Sequence, residues 1–238
     1  GQYVLTGSQN LLMMEQVSES LAGRTAVLQL MPLTRREVEG DAFRALPWEM
    51  SSEVREPRVE GYLRRLAVCE QLLRGGYPEV QGKSGRVRAM WFDAYVQTYL
   101  ERDVRTLRNV GDLRQFQLFL KAVALRSGQL FNASDVARDL GVSANTVKGW
   151  LSVLETSGLV VVLKPFFSNA GKRLVKAPKV YIADSGLLAF LAGIETAEQL
   201  ALSPMGGAVF EAAVLMEIRA ALSFRGRRPE VSFWRTSN

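Results

Sequence analysis

The sequence contains no histidine. That absence removes Ser-His and Cys-His nucleophilic catalysis and the usual zinc-ligand sets. Any chemistry is left to carboxylates, lysine, arginine, hydroxyls or a bound nucleotide. The one cysteine, Cys69, cannot form an internal disulfide, which agrees with a reducing compartment. No apolar run approaches the roughly 18 residues that span a bilayer, and no signal peptide is visible. The expectation is therefore a cytoplasmic protein with no membrane partner. Internal repeats and low-complexity tracts are also missing.

What is present is a chain of 238 residues, 47% hydrophobic and 23% charged. A mean hydropathy of +0.01 on that length indicates a globular chain with a sizeable core. There are 30 Lys and Arg against 24 Asp and Glu, a net charge of +6 with a pI near 9.7. An arginine-rich balance suits a phosphate-bearing partner. A solvated, mildly basic surface accounts for it equally well.

Residues 1–40 read as strand, helix, strand. "YVLTGS" is a buried run ending at a small polar corner. "LLMMEQVSESL" places Leu11, Met14, Val17 and Leu21 at helical spacing, and "TAVLQLMPL" is a second buried run. Two apolar strands flanking a helix belong in a parallel sheet, which two strands cannot stabilise alone. A helix is predicted from about Val59 to Gly75-Gly76. Residues 85–126 read as two helices broken at Gly111-Asp112, the first with Val87, Trp91, Tyr95 and Thr98 on one face. Phe116, Leu120 and Val123 mark the core face of the second.

The clearest local pattern spans residues 127–183. Ser134 is expected to cap a short helix, "GV" to make a tight turn, and Ser143 to cap "ANTVKGWLSVLETS". "LVVVLKPFF" and "KVYIAD" follow as strands around the polar loop "SNAGKRLVKAP". Helix, turn, helix and hairpin is the order of a winged helix-turn-helix. After "SGLLAFLAG", the stretch "IETAEQLALSPMG" reads as a linker, "AVFEAAVLMEIRAAL" as an amphipathic helix, and "EVSFWRTSN" as a strand.

The stretches "LTGSQN", "SESLAGR", "GGYPEV", "YLERDV", "KVYIADSGLL", "FEAAVLMEI" and "FWRTSN" together resemble prokaryotic AAA-type ATPases with a C-terminal domain of unassigned function. The resemblance runs in order through nearly the whole chain. It implies a P-loop ATPase core, then a winged helix, then a small restriction-endonuclease-like segment. It also implies that the family's phosphate-binding loop and Mg²⁺-binding strand lie before Gly1, so the chain is expected to be a fragment. ATP and Mg²⁺ are then cofactors of the full-length protein and none is expected in this chain.

By resemblance, Thr6, Ser8 and Gln9 face the γ-phosphate and the attacking water, and Arg24 is an arginine-finger candidate. An ordinary capped turn and a structural ion pair explain the same residues. Glu211 resembles the helical glutamate of the nuclease-like segment, whose further metal ligands would follow "FWRTSN". In the winged helix, Val147, Leu151 and Leu154 should face the core. That leaves Asn145, Lys148 and Ser152 outward for double-stranded DNA, with Lys164, Lys172, Arg173, Lys176 and Lys179 around the hairpin for its phosphates. The alternative is a winged helix that packs on protein. The paired acids Glu101 and Asp103, beside Arg102 and Arg105, read as a solvated ion-pair network.

The expected architecture is a multi-domain, mostly helical α/β chain. Residues 1–74 form the end of the ATPase core and lid helix, 75–193 a helical connector plus winged helix, and 194–238 a truncated nuclease-like module. The function expected is that of an ATP-binding AAA-type ATPase acting on or near DNA, possible as a homo-oligomer and not catalytic in this chain alone. A DNA-binding transcriptional regulator and a protein-interaction scaffold are the alternatives.

Overall fold

The computed structural model describes residues 30–40, 62–99, 112–166, 177–226 and 228–234. The expected strands and helix of residues 1–29, and the acids Glu101 and Asp103, lie outside the described residues.

The described chain is mostly helical with a small sheet. It begins with α1 (Arg35–Val38), a single turn closed by a capping box. Glu37 N–H donates to Thr34 Oγ1 at 3.3 Å and Thr34 N–H donates to Glu37 Oε2 at 2.7 Å. Two long-range bonds hold this segment. Leu33 N–H donates to the carbonyl of Gly76 at 2.7 Å, and Arg35 N–H donates to Glu217 Oε1 at 2.6 Å.

α2 (Tyr62–Arg74) ends at Gly75, as its glycine pair predicts, and a 3-10 turn (Pro78–Val80) leads to α3 (Gly85–Tyr99). The buried face of α3 is Arg88, Phe92, Val96 and Tyr99, one residue later than the face read from the sequence. Val87 is 46% exposed and Thr98 is exposed. Trp91 and Tyr95 sit half-buried at the edge of the core, stacked with ring centroids 5.1 Å apart and packed against Tyr77. The aromatic pair is thus a flank to the buried stripe, which is why apolar spacing alone misplaced it.

α4 (Leu113–Leu125) is capped by Asp112 and buries Phe116, Phe119, Leu120 and Val123 completely. Each such side chain contributes about 2–3 kcal/mol through removal from water. Residues 128–131 then run beside the later strand β2 (Lys179–Ile182). Gly128 N–H donates to the Val180 carbonyl at 2.8 Å and Phe131 N–H to that of Pro178 at 2.7 Å. α5 (Ala133–Leu140) and α6 (Ala144–Thr156) follow, joined by residues 141–143 with Gly141 left-handed at φ 66°. The cap of α5 is Asn132, whose side chain accepts from Ser134 N–H, so the cap expected at Ser134 lies two residues earlier. Either residue type suits the position, and Asn132 is the one with extended backbone.

β1 (Val160–Pro165) pairs antiparallel with β2, Val160 opposite Ile182 and Leu163 opposite Lys179. β3 (Ser232–Phe233) pairs with β1 in parallel, giving the order β2-β1-β3. Between β2 and β3 lie α7 (Ser185–Leu191), α8 (Ala197–Leu202) and α9 (Gly206–Phe224). The stretch read as a linker therefore holds a helix. Thr196 and Gln199 close a capping box on α8, and its buried Ala197, Leu200 and Ala201 pack against α2.

One cluster of buried side chains runs from Cys69 on α2 to Leu215 on α9, and so crosses residues 74 and 193 without a break. Its most specific joint is between "GGYP" and "ADSG". Asp184 is buried, and its carboxylate accepts from Gly76 N–H at 2.6 Å and Leu187 N–H at 2.8 Å. Ser185 Oγ donates to the Leu72 carbonyl at 2.8 Å. A Cβ on Gly75 would overlap that carboxylate, so the residue must be glycine for proximity as well as for its φ of +66°.

Candidate nucleic-acid interface

α5 and α6 present one packed and one open side. Val136 and Ala137 of α5 and Val147, Trp150 and Leu154 of α6 face the core, while Leu151 is half-buried. Trp150 is wedged against Phe116 and Phe119, its ring centroid 5.5 Å from each. That anchor, with Ser143 capping through Thr146 N–H at 3.0 Å, fixes the rotation of α6 about its axis. Asn145, Lys148 and Ser152 all point to solvent, as the helical spacing predicts. Gly149 sits among them with a regular helical backbone. Among the described residues no atom lies within 4 Å of where its Cβ would be.

A glycine inside an exposed helix costs roughly 0.5–1 kcal/mol relative to alanine. Sequence reading passed over Gly149, and the signal was available: "VKGWL" puts a poor helix former mid-helix with no cap or turn to explain it.

The face is mixed in charge. Glu155 lies one helical step beyond Ser152. Partial burial pushes its carboxyl above the usual range, opposed by Lys164 on β1 and Arg219 on α9. Lys164 is exposed but acts on this carboxylate, and Lys148 is exposed on α6. Lys179 is used differently. Its Nζ donates to Glu211 Oε1 at 3.0 Å and lies 5.7 Å from the Phe233 ring centroid. Lys172, Arg173 and Lys176 lie outside the described residues, as do Thr6, Ser8, Gln9 and Arg24.

Glu211, on α9, also accepts from Tyr181 Oη at 2.8 Å. Burial and this carboxylate together push the Tyr181 phenol well above its ordinary value. Glu211 thus ties α9 to the outer strand of the hairpin. Among the described residues no group of three or more His, Cys, Asp or Glu could hold a metal ion.

The stretch "GYPEVQGKS" (76–84) departs from G-x-x-x-x-G-K-[ST] by one residue. It also follows a helix, α2, and contains the 3-10 turn, where a phosphate-binding loop follows a strand. No nucleotide site is assigned to it. Among the described residues no helix is long and apolar enough to cross a membrane.

Comparison with known proteins adds two family matches. The family described as "Domain of unknown function (DUF8612)" matches residues 65–198, and that described as "AAA domain" matches residues 1–39. An uncharacterized protein of Mycobacterium bovis and one of Mycobacterium tuberculosis are each 32% identical over 235 residues. These cover 98% of this chain and 47% of each relative. The chain spans about half the length of the curated relatives it matches. No solved structure matches it.

Proposed function

The chain belongs to the family defined by the domain of unknown function DUF8612, and from that premise we propose that it is the DNA-contacting part of an AAA-type ATPase, with a winged helix as reader. The observation that carries this reading is the exposure of Asn145, Lys148 and Ser152 on a helix whose opposite side is locked by Trp150. Support comes also from the element order, α4, a short strand-like run at 128–131 beside β2, α5, α6 and the β1–β2 hairpin, which is that of winged helices. α6 would lie in the major groove, where Asn and Lys reach base edges, while Lys164 and, between β1 and β2 in sequence, Lys172, Arg173 and Lys176 would contact phosphates. Lys179 contributes to this surface through the hairpin it braces.

The similarity of residues 1–39 to an AAA domain supports the ATPase half of the reading. There, Thr6, Ser8 and Gln9 would sense the γ-phosphate and Arg24 would reach a neighbouring subunit's nucleotide, with ATP and Mg²⁺ bound in the whole protein. Glu211 would be a remnant of a nuclease-like site put to structural use.

The test is fluorescence anisotropy of a labelled duplex across a salt series, with a Lys172→Glu, Arg173→Glu, Lys176→Glu variant in parallel. Binding that falls steeply with salt and disappears in the variant is the expected result. No binding at low salt would sink the DNA reading and leave a protein partner for this face.

A further inference from the structure

We propose that Gly149 is the point of closest approach between α6 and duplex DNA, a contact made by the helix backbone itself. The inference rests on the DNA reading above and adds a residue and a contact geometry to it. Every other described glycine has a local reason: a left-handed φ, a neighbour's atom against its α-carbon, or a place in the first turn of a helix. Gly149 has none of these. It lies mid-helix on the exposed side of α6, with no neighbour within 4 Å of its Cβ position among the described residues.

Its neighbours on that side say what it accommodates. Asn145 and Ser152 lie four before and three after it and flank it directly, and Lys148 borders the same exposed side. Two of the three side chains are short. An asparagine amide or a serine hydroxyl reaches a base edge only when the helix axis lies deep in the groove, and a side chain at 149 would hold it out. An α-helix with its side chains is about 10–12 Å across, against a major groove about 12 Å wide, so one methyl group at the contact line is felt. A partner helix of another protein fits the site poorly, because close helix packing on a glycine needs apolar flanks and these flanks are polar or charged.

The experiment compares the full chain with its Gly149→Ala, Gly149→Leu and Lys148→Ala variants, reading thermal unfolding and anisotropy with a labelled duplex pool of random sequence over a salt series. Alanine should raise Tm by about 2 °C, since the helix gains a better former at an unstrained site. It should weaken DNA binding by roughly 10-fold, with an unchanged salt slope because no charge is lost. Leucine should weaken it further. Lys148→Ala should reduce the salt slope by about one. Wild-type binding with equal affinity for Gly149→Ala would overturn the inference and leave the DNA reading standing. A lower Tm for Gly149→Ala would overturn it too, by showing a structural need for the glycine. If the wild type binds no duplex at low salt, both readings fall together.

Discussion

Gly75→Ala isolates the joint between the end of α2 and the start of α7. The new Cβ would lie 2.6 Å from Asp184 Oδ2 and 2.8 Å from Cγ, so the carboxylate must move. Alanine at φ +66° itself costs about 1–2 kcal/mol. Displacing the carboxylate strips buried acceptors from Gly76 N–H and Leu187 N–H, and each buried donor left unpaired costs about 1–3 kcal/mol. The sum is about 4 kcal/mol or more, a large part of the roughly 5–15 kcal/mol that holds a domain together. Gly82→Ala is the matched control, because Gly82 has φ +72° and, among the described residues, nothing within 4 Å of its Cβ position. It should lose only the backbone share of about 1–2 kcal/mol. Urea unfolding followed by tryptophan fluorescence reads both, with buried Trp150 as reporter. A double variant, Gly75→Ala with Asp184→Ala, should cost less than the sum of its parts, since the collision then has no target. Equal losses for Gly75→Ala and Gly82→Ala would refute the reasoning.

Asp184 also sets a pH dependence. Burial pushes its carboxyl above the ordinary 3.8, against the pull of the backbone N–H groups of Gly76, Leu187 and Gly186. The folded state therefore holds the proton more tightly than the unfolded one. The stability this contributes is complete below 3.8 and is lost as pH rises through the folded value. Asp184→Asn should remove that fall, so the difference between its urea midpoint and the wild type's must change with pH; a flat difference would count against it. Tyr181→Phe should cost about 1 kcal/mol, because Glu211 keeps its bond from Lys179. Glu211→Ala should lower one tyrosine ionisation in an alkaline ultraviolet titration without abolishing the upward shift, since burial raises the Tyr181 phenol most and that carboxylate raises it further. An unchanged titration would remove Glu211 as a cause.

The order α5, α6, β1 and β2 was legible because its signals are local. Ser143 before a helical run, a glycine turn and two β-branched runs each specify their own geometry, and the outward set on α6 follows from spacing once Val147 and Leu154 are taken as core. α8 was legible in principle, through the Thr196 and Gln199 capping box, but a short polar run resembles a linker until α2 is seen to cover its apolar side. The face of α3 was not legible. Arg88 is buried there, and no periodicity argument places a guanidinium inside. The partners of Lys179 and Asp184 were equally out of reach, because they come from residues 32 and 108 positions away.

The two bonds that hold residues 30–40, Leu33 to Gly76 and Arg35 to Glu217, have a mechanical consequence. Displacing this segment would draw on the α2 terminus through Gly76 and on α9 through Glu217 at the same time. Since α9 carries Glu211, which grips the hairpin, the second bond ends on a helix that also holds the strand bearing Lys179.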